Sequence, residues 1–196
     1  LESYKRLQVA ILGNFTEPKG GNLLLAMFPL LLNDEMDFHI LGRVDANFKP
    51  ALDNPNFTNV FVHGEFTQSE LGLKLRDMDV SVHFSIWPET YCIAVDEARA
   101  AGIFPIVLGY GALAARVDSW KDGIVVDPKR PFDLIHVLRR LVADRSVLER
   151  FDFKISQLQD NYDRHIDAMA RVYAELIAAR RCAPVSASAD AGRSLL

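Results

Sequence analysis

Short apolar runs closed by glycine recur along this chain and alternate with stretches of helical spacing. Gln8-Val9-Ala10-Ile11-Leu12 reads as a strand that stops at Gly13. Leu23, Leu24, Met27 and Phe28 then fall at helix spacing. Pro29 should kink or end that helix, because it lacks a backbone donor. Asp37 to Leu41, Asn59 to His63, Val80 to Phe84, Ile103 to Leu108 and Gly123 to Val126 read as further strands, and Gly42, Gly64 and Gly109 close three of them. Between them lie helical stretches at Ser69 to Arg76 and at Cys92 to Ala101, the latter stopped by Gly102. Pro131 opens another, to about Ala143, since proline is tolerated in a first helical turn. Ser146 to Leu158 and Tyr162 to Arg180 read as two more helices. Residues 183–196 are small and polar and predict a disordered tail.

Strand and helix repeat with apolar, β-branched strands, which predicts a Rossmann-like α/β domain: a parallel sheet with helices on both faces, followed by C-terminal helices, over residues 1–182. In such sheets the ligand crevice lies at the carboxyl ends of the strands, where these glycines fall. Each glycine taken alone reads equally well as plain turn chemistry.

Composition narrows the class. Of 196 residues, 49% are hydrophobic and 24% charged, as expected of a globular chain with a full core. The net charge of −4 argues against a nucleic-acid footprint. Cys92 and Cys182 are the two cysteines, far apart and without metal spacing, so the expected compartment is a reducing cytoplasm. No apolar run approaches the roughly 18 residues of a membrane span, and residues 1–6 do not resemble a signal peptide. The chain starts at Leu1, so a fragment of a longer protein is expected. The sequons at Asn14 and Asn56 read as chance matches.

The segment Ser85-Ile86-Trp87-Pro88-Glu89-Thr90-Tyr91-Cys92-Ile93-Ala94-Val95-Asp96-Glu97 leaves a strand and enters a helix. A helix start offers unpaired N–H groups and partial positive charge, which suits an anion. The amides of Tyr91, Cys92 and Ile93 are candidates to hold a diphosphate. Glu89 precedes the helix and Glu97 lies about two turns along it, roughly 10–12 Å away by helix rise. Carboxylates repel phosphate but accept hydrogen bonds from diols. One on each side of the anion site suits a sugar at one end and a ribose at the other. Glu89 also reads as a residue favouring the helix dipole, and Glu97 as a solvated one; spacing leaves both readings open.

This segment resembles the Glu-x7-Glu motif of the retaining GT-B glycosyltransferases of family 4, the glycosyl transferases group 1. Other motifs follow in that family's order. Gly13-Asn14-Phe15-Thr16-Glu17-Pro18-Lys19-Gly20 is similar to its first loop. Asp79-Val80, Glu97-Ala98 with Ala101-Gly102, and Asp122 to Pro128 resemble its later stations. The likeness spans roughly Val9 to Leu141. It implies one half of a GT-B fold, the donor-binding half, with the acceptor site on an N-terminal domain. It implies transfer of a hexose from a nucleoside-diphosphate sugar, with retention, to a glycan or lipid-linked acceptor. No metal or other cofactor is implied.

By the same resemblance Glu89 orients the donor sugar, Glu97 holds the ribose, Lys19 neutralises the leaving diphosphate, and the backbone of Tyr91, Cys92 and Ile93 faces the phosphates. Trp87 to Tyr91 and Gly111 to Val117 look most like bacterial cell-surface polysaccharide and lipopolysaccharide enzymes, which places the protein in the cytoplasm or at the inner face of the membrane. The final helix often crosses to the partner domain in this family, so an apolar stripe is expected between Tyr162 and Arg180.

The chain departs from the pattern in places. Asn14 stands where arginine is usual, with Arg43 a candidate replacement, and Cys92 stands where glycine is usual. Asp77-Met78-Asp79 resembles a metal motif of another glycosyltransferase fold, but Asp79 fits here as a turn residue. His39, His63 and His83 read as packed or hydrogen-bonded, His63 near the expected base pocket. Two other functions fit the same residues: a non-catalytic nucleotide-sugar-binding scaffold, and a nucleotide-sugar epimerase.

Overall fold

A computed structural model of the chain describes residues 6–151 and 155–182. The expected tail, residues 183–196, lies outside the described residues. The chain divides into two compact units, one reaching Ile155 and one from Ser156 onward.

The first unit holds six strands: β1 (Leu7–Leu12), β2 (Met36–Leu41), β3 (Val60–Gly64), β4 (Val80–His83), β5 (Phe104–Leu108) and β6 (Ile124–Val126). They form one sheet in the order β3-β2-β1-β4-β5-β6. Every pairing is parallel. The order runs outward from β1 in one direction and from β4 in the other. The crevice of such a sheet opens where the order reverses, between β1 and β4.

Alternation along the strands divides the core into two faces. Val9, Ile11, Phe38, Ile40, Val82, Ile106 and Val126 point to one. There they meet Leu24 and Met27 of α1 (Gly21–Met27) and Leu134, Leu138 and Leu141 of α6 (Asp133–Ala143). Ala10, Leu12 and Leu41 point to the other face, against Leu71 and Leu75 of α3 (Gln68–Leu75) and Ala98 of α4 (Ile93–Ala100). Val107 joins that face against Val95 of α4 and Leu113 of α5 (Ala112–Arg116). Burial of these apolar side chains contributes about 1.5–3 kcal/mol each, so the two-faced core holds in place the carboxyl ends of the central strands β1 and β4.

The sequence expectation holds for all six strands to within a residue or so. Pro29 does end α1, and Phe28–Leu30 tighten into a single 3₁₀ turn. Two short helices escape the sequence pattern: α2 (Lys49–Leu52) and α5. Four or five residues are too few to show a helical period. The helix expected from Ser146 to Leu158 is broken instead. α7 spans Ser146–Glu149, and a separate α8 runs Ile155–Cys182. Phe151 packs edge-on to Phe104 with ring centroids 5.1 Å apart, which draws the chain off the helical path. Along α8, Tyr162, Ile166, Met169, Tyr173, Leu176 and Ile177 are exposed, at the spacing of a stripe.

Candidate active site

The loop after β1 is fixed by aromatic packing and by backbone hydrogen bonds to its neighbour. Phe15 is buried, edge-on to Phe48 at 5.2 Å, and its N–H donates to the Arg43 carbonyl at 2.7 Å. Gly13 N–H donates to Leu41 O, and Gly42 N–H to Gly64 O, both at 2.9 Å. The loops after β1, β2 and β3 therefore form one connected rim. Gly20 has φ +81, and a Cβ there would overlap the Phe84 carbonyl oxygen. Only glycine lets the chain pass so close to the end of β4. That approach sets Lys19 beside the loop carrying Glu89.

A cavity of about 70 Å³ lies in this rim, lined by residues that include Gly13, Asn14, Lys19, His83, Ser85, Glu89 and Cys92. It sits at the β1–β4 reversal. Lys19 Nζ pairs with the Glu89 carboxylate, joining residues 70 positions apart in sequence. Ser85 holds the Glu89 loop from below: its hydroxyl donates to Pro18 O at 3.0 Å and Trp87 O at 3.1 Å.

α4 begins beside this cavity. Its N-cap is Cys92, in the left-handed conformation at φ 64 and ψ 77. Among the described residues no group accepts a hydrogen bond from the amides of Cys92, Ile93 and Ala94. The Cys92 thiol lies in the cavity wall, and burial first, then the nearby Glu89 carboxylate, pushes its pKa up. The thiol therefore stays protonated and is a poor nucleophile.

The expected site residues divide into two groups. Asn14, Lys19, Glu89 and Cys92 meet in the cavity wall. Tyr91 and Ile93 are exposed beside it, and Glu97, half-buried on α4, does not line it. A second depression of about 440 Å³ opens on the same rim, lined by Arg43, Val44, Lys49, Val62, His63, Gly64 and Glu65. His63 Nε2 lies 2.9 Å from His39 Nδ1, and burial holds both pKa values below the ordinary 6.5. Asp79 lies at the other end of the strands, where its carboxylate accepts the Gln8 N–H at 2.8 Å.

Arg116 is a positioning residue that sequence reasoning did not single out. Its Nη1 donates to the carbonyls of Tyr91 and Cys92, and its Nη2 pairs with Asp96. Its guanidinium also lies 4.0 Å from the Tyr91 ring centroid. It thus grips both carbonyls flanking the left-handed turn. Nothing in the sequence links it to Tyr91, 25 residues earlier.

His83 forms part of the cavity floor. It is buried, with Nε2 3.0 Å from Ser81 Oγ, and burial, then Lys19, Arg99 and Arg116, lowers its pKa to about 3. It is a neutral packing group, as the sequence suggested. The folded form resists protonation that the unfolded chain accepts near 6.5. Its contribution to stability is complete above that pH and is lost as pH falls from 6.5 toward about 3. Through that window the folded chain should lose stability steadily with each pH unit. Urea unfolding of His83→Gln should show a correspondingly shallower loss of stability between pH 6 and pH 4.5 than the parent chain. Parallel curves would remove His83 from the acid response.

The family model of the glycosyl transferases group 1 matches residues 2–156. The search of curated proteins found no match. Among solved structures, the chain is similar to the C-terminal domain of a glycosyl transferase group 1 family protein, LpcC, from Francisella tularensis (19% identity, 74% of this chain, 80% of that one, TM-score 0.60). It is similar to the sucrose-phosphate synthase of Thermosynechococcus elongatus (21% identity, 90% of this chain, 47% of that one, TM-score 0.73). It is also similar to Anabaena HepE in complex with UDP (14% identity, 84% of this chain, 49% of that one, TM-score 0.64). The chain thus spans about half the length of the latter two proteins.

Proposed function

The chain belongs to the glycosyl transferases group 1 family, and on that premise we propose that it is the donor-binding half of a hexosyltransferase acting on a nucleoside-diphosphate sugar. The observation that carries this reading is that Lys19, Glu89 and Cys92, the N-cap of α4, meet in the wall of one cavity at the strand-order reversal, beside helix-start amides from which no described group accepts a hydrogen bond. Amides and an ammonium suit a diphosphate. A carboxylate at the edge of that anion site suits the hydroxyls of the attached sugar. As the bond from the anomeric carbon to the diphosphate breaks, negative charge grows on the departing oxygen, and Lys19 is placed to stabilise it. The acceptor hydroxyl forms the new bond to that carbon, with retention, and its proton leaves with the diphosphate.

The wide depression lined by Arg43, His63 and Gly64 supports a place for the nucleoside on the same rim. Glu97 would then serve the ribose. The acceptor, a glycan or lipid-linked saccharide of the bacterial cell surface, would be held by a second, N-terminal domain. No described helix is long and apolar enough to cross a membrane, and a place in the cytoplasm or at the inner membrane face belongs to this proposal.

Calorimetric titration with UDP, GDP, dTDP and ADP tests the reading; the Anabaena relative's UDP complex puts UDP first. One nucleotide should bind, and Glu97→Ala should weaken it roughly tenfold, the worth of a charged hydrogen bond. If none of the four binds, the donor role fails. Binding by a complete chain that shows no transfer would favour the scaffold reading, for which the Cys92 side chain in the cavity wall is the supporting observation.

A further inference from the structure

A second concave site lies at the other end of the sheet from the donor cavity. It is a depression of about 250 Å³, lined by Trp120, Arg140, Asp144, Ser146, Val147 and Arg150. Its location follows from the topology. Trp120 lies in the turn that feeds the amino end of β6, and Asp144 caps the carboxyl end of α6. Arg145, between the lining residues, reaches within 3.7 Å of Asp79 at the amino end of β4.

Trp120 is held in an unusual way. It has φ 66, and only Cys92 shares a positive φ among the described non-glycine residues. A bulky side chain rarely adopts that conformation, and it persists only where its surroundings enforce it. The turn is locked by Trp120 N–H donating to Gly123 O at 2.7 Å and by the Asp122 carboxylate accepting the Asp118 N–H. Buried Arg99 fastens the same turn through its ion pair with Asp122 at 3.0 Å. The result is a half-exposed indole on a rigid support.

The Arg140 guanidinium lies 4.1 Å from the centroid of that indole. Stacking fixes its plane. Among the described residues no group accepts a hydrogen bond from it, so its planar fork of donors is unspent. Arg150 is braced differently. Its Nε donates to Ser146 O at 3.0 Å, and its Nη2 lies 3.4 Å from Ser146 Oγ, which leaves the outer side of the guanidinium open. Asp144 is the one carboxylate in the lining. It accepts the Ser146 N–H at 2.9 Å. The Ser146 hydrogen bonds, and then the field of both guanidinium groups, hold the Asp144 carboxyl below its usual range, so the depression carries two positive charges against one negative.

We propose that this depression binds a phosphate group, gripped by the free donors of Arg140 and Arg150, with Trp120 as the platform that orients Arg140 and Ser146 as the brace of Arg150. A phosphate has enough oxygens to serve two forks, whereas a carboxylate fills one. The group could be carried by a soluble phosphate ester or by a lipid headgroup; the chemistry is shared. The site is independent of the donor cavity.

Trp120 reports on it directly. The chain has two tryptophans, so Trp87→Phe leaves Trp120 as its single indole emitter. In that background, inorganic phosphate is titrated at constant ionic strength against chloride, and phosphatidylglycerol vesicles against phosphatidylcholine. A saturable change in Trp120 emission is expected in one arm or both, and the responding arm names the source. Arg140→Lys keeps the charge but loses the flat fork, and should weaken the response roughly tenfold. Arg140→Gln should abolish it, while Arg130→Gln, on the surface elsewhere, leaves it unchanged. The proposal is overturned if neither arm responds. It is equally overturned if the response survives both Arg140 variants, or falls as much with Arg130→Gln.

Discussion

Replacing Glu89 with glutamine is expected to lower sugar transfer by the complete enzyme roughly a thousandfold, the scale seen when one preorganised electrostatic contact to a transition state is removed. Nucleoside-diphosphate affinity should meanwhile hold or rise. The reason lies in the pairing of Glu89 with Lys19. The carboxylate is mostly shielded, with 17% of its side chain exposed, against 46% for Lys19. It engages Lys19, the cation that on the proposed reading holds the diphosphate. On that reading donor binding turns Lys19 toward the phosphates and leaves Glu89 to the sugar hydroxyls. Glutamine keeps the shape, removes the competition for Lys19 and removes the charge that the proposed role places near the sugar's anomeric carbon. Lys19→Ala should do the reverse and weaken diphosphate binding by roughly ten- to a hundredfold. Measuring nucleotide affinity by calorimetry and transfer by product formation on both variants separates the roles. Equal losses of nucleotide affinity in the two would sink the division of labour between them.

That division was only partly legible in the amino-acid sequence. The strands could be read because apolar, β-branched runs that end in glycine and alternate with helical spacing suit the buried strands of a parallel sheet. Gly13 and Gly42 mark the rim for a physical reason, since each follows a strand and their backbones touch. Lys19 and Glu89 were brought together by resemblance to a family, not by any local pattern. Spacing also left open the role of Glu97, and the cavity at the strand reversal does not extend to it. What stayed unreadable depends on contacts distant in sequence. The break at Arg150–Phe151 depends on where Phe104 lies in space. Trp120 precedes an ordinary Lys-Asp-Gly turn, and its stacking partner Arg140 comes from the far end of the next helix. Short helices such as α2 and α5 carry too few residues to announce themselves.

Arg116→Ala should destabilise the chain by about 3 kcal/mol and weaken nucleoside-diphosphate binding by roughly tenfold or more. The stability term follows from burial. The Arg116 and Asp96 side chains are 17% and 14% exposed, so removing Arg116 leaves a shielded Asp96 carboxylate without its hydrogen-bonded partner, with buried Arg99 as a remaining charged neighbour. The binding term has a different origin. Cys92 holds φ 64, a conformation that costs a residue bearing a Cβ roughly 1–2 kcal/mol. Arg116 supports that turn by donating to two carbonyls, those of Tyr91 and Cys92. Without it the backbone is free to relax, and the amides of Cys92, Ile93 and Ala94 lose their fixed placement at the start of α4. Cys92→Gly, introduced into the Arg116→Ala chain, should then recover affinity about fivefold, because glycine takes the left-handed turn without strain. It should recover little stability, since the Asp96 carboxylate still lacks its hydrogen-bonded partner. Calorimetry and urea unfolding of the two single variants and the double variant would show this split. Joint recovery of affinity and stability, or of neither, would mean that Arg116 acts through the general fold and not through the turn at Cys92.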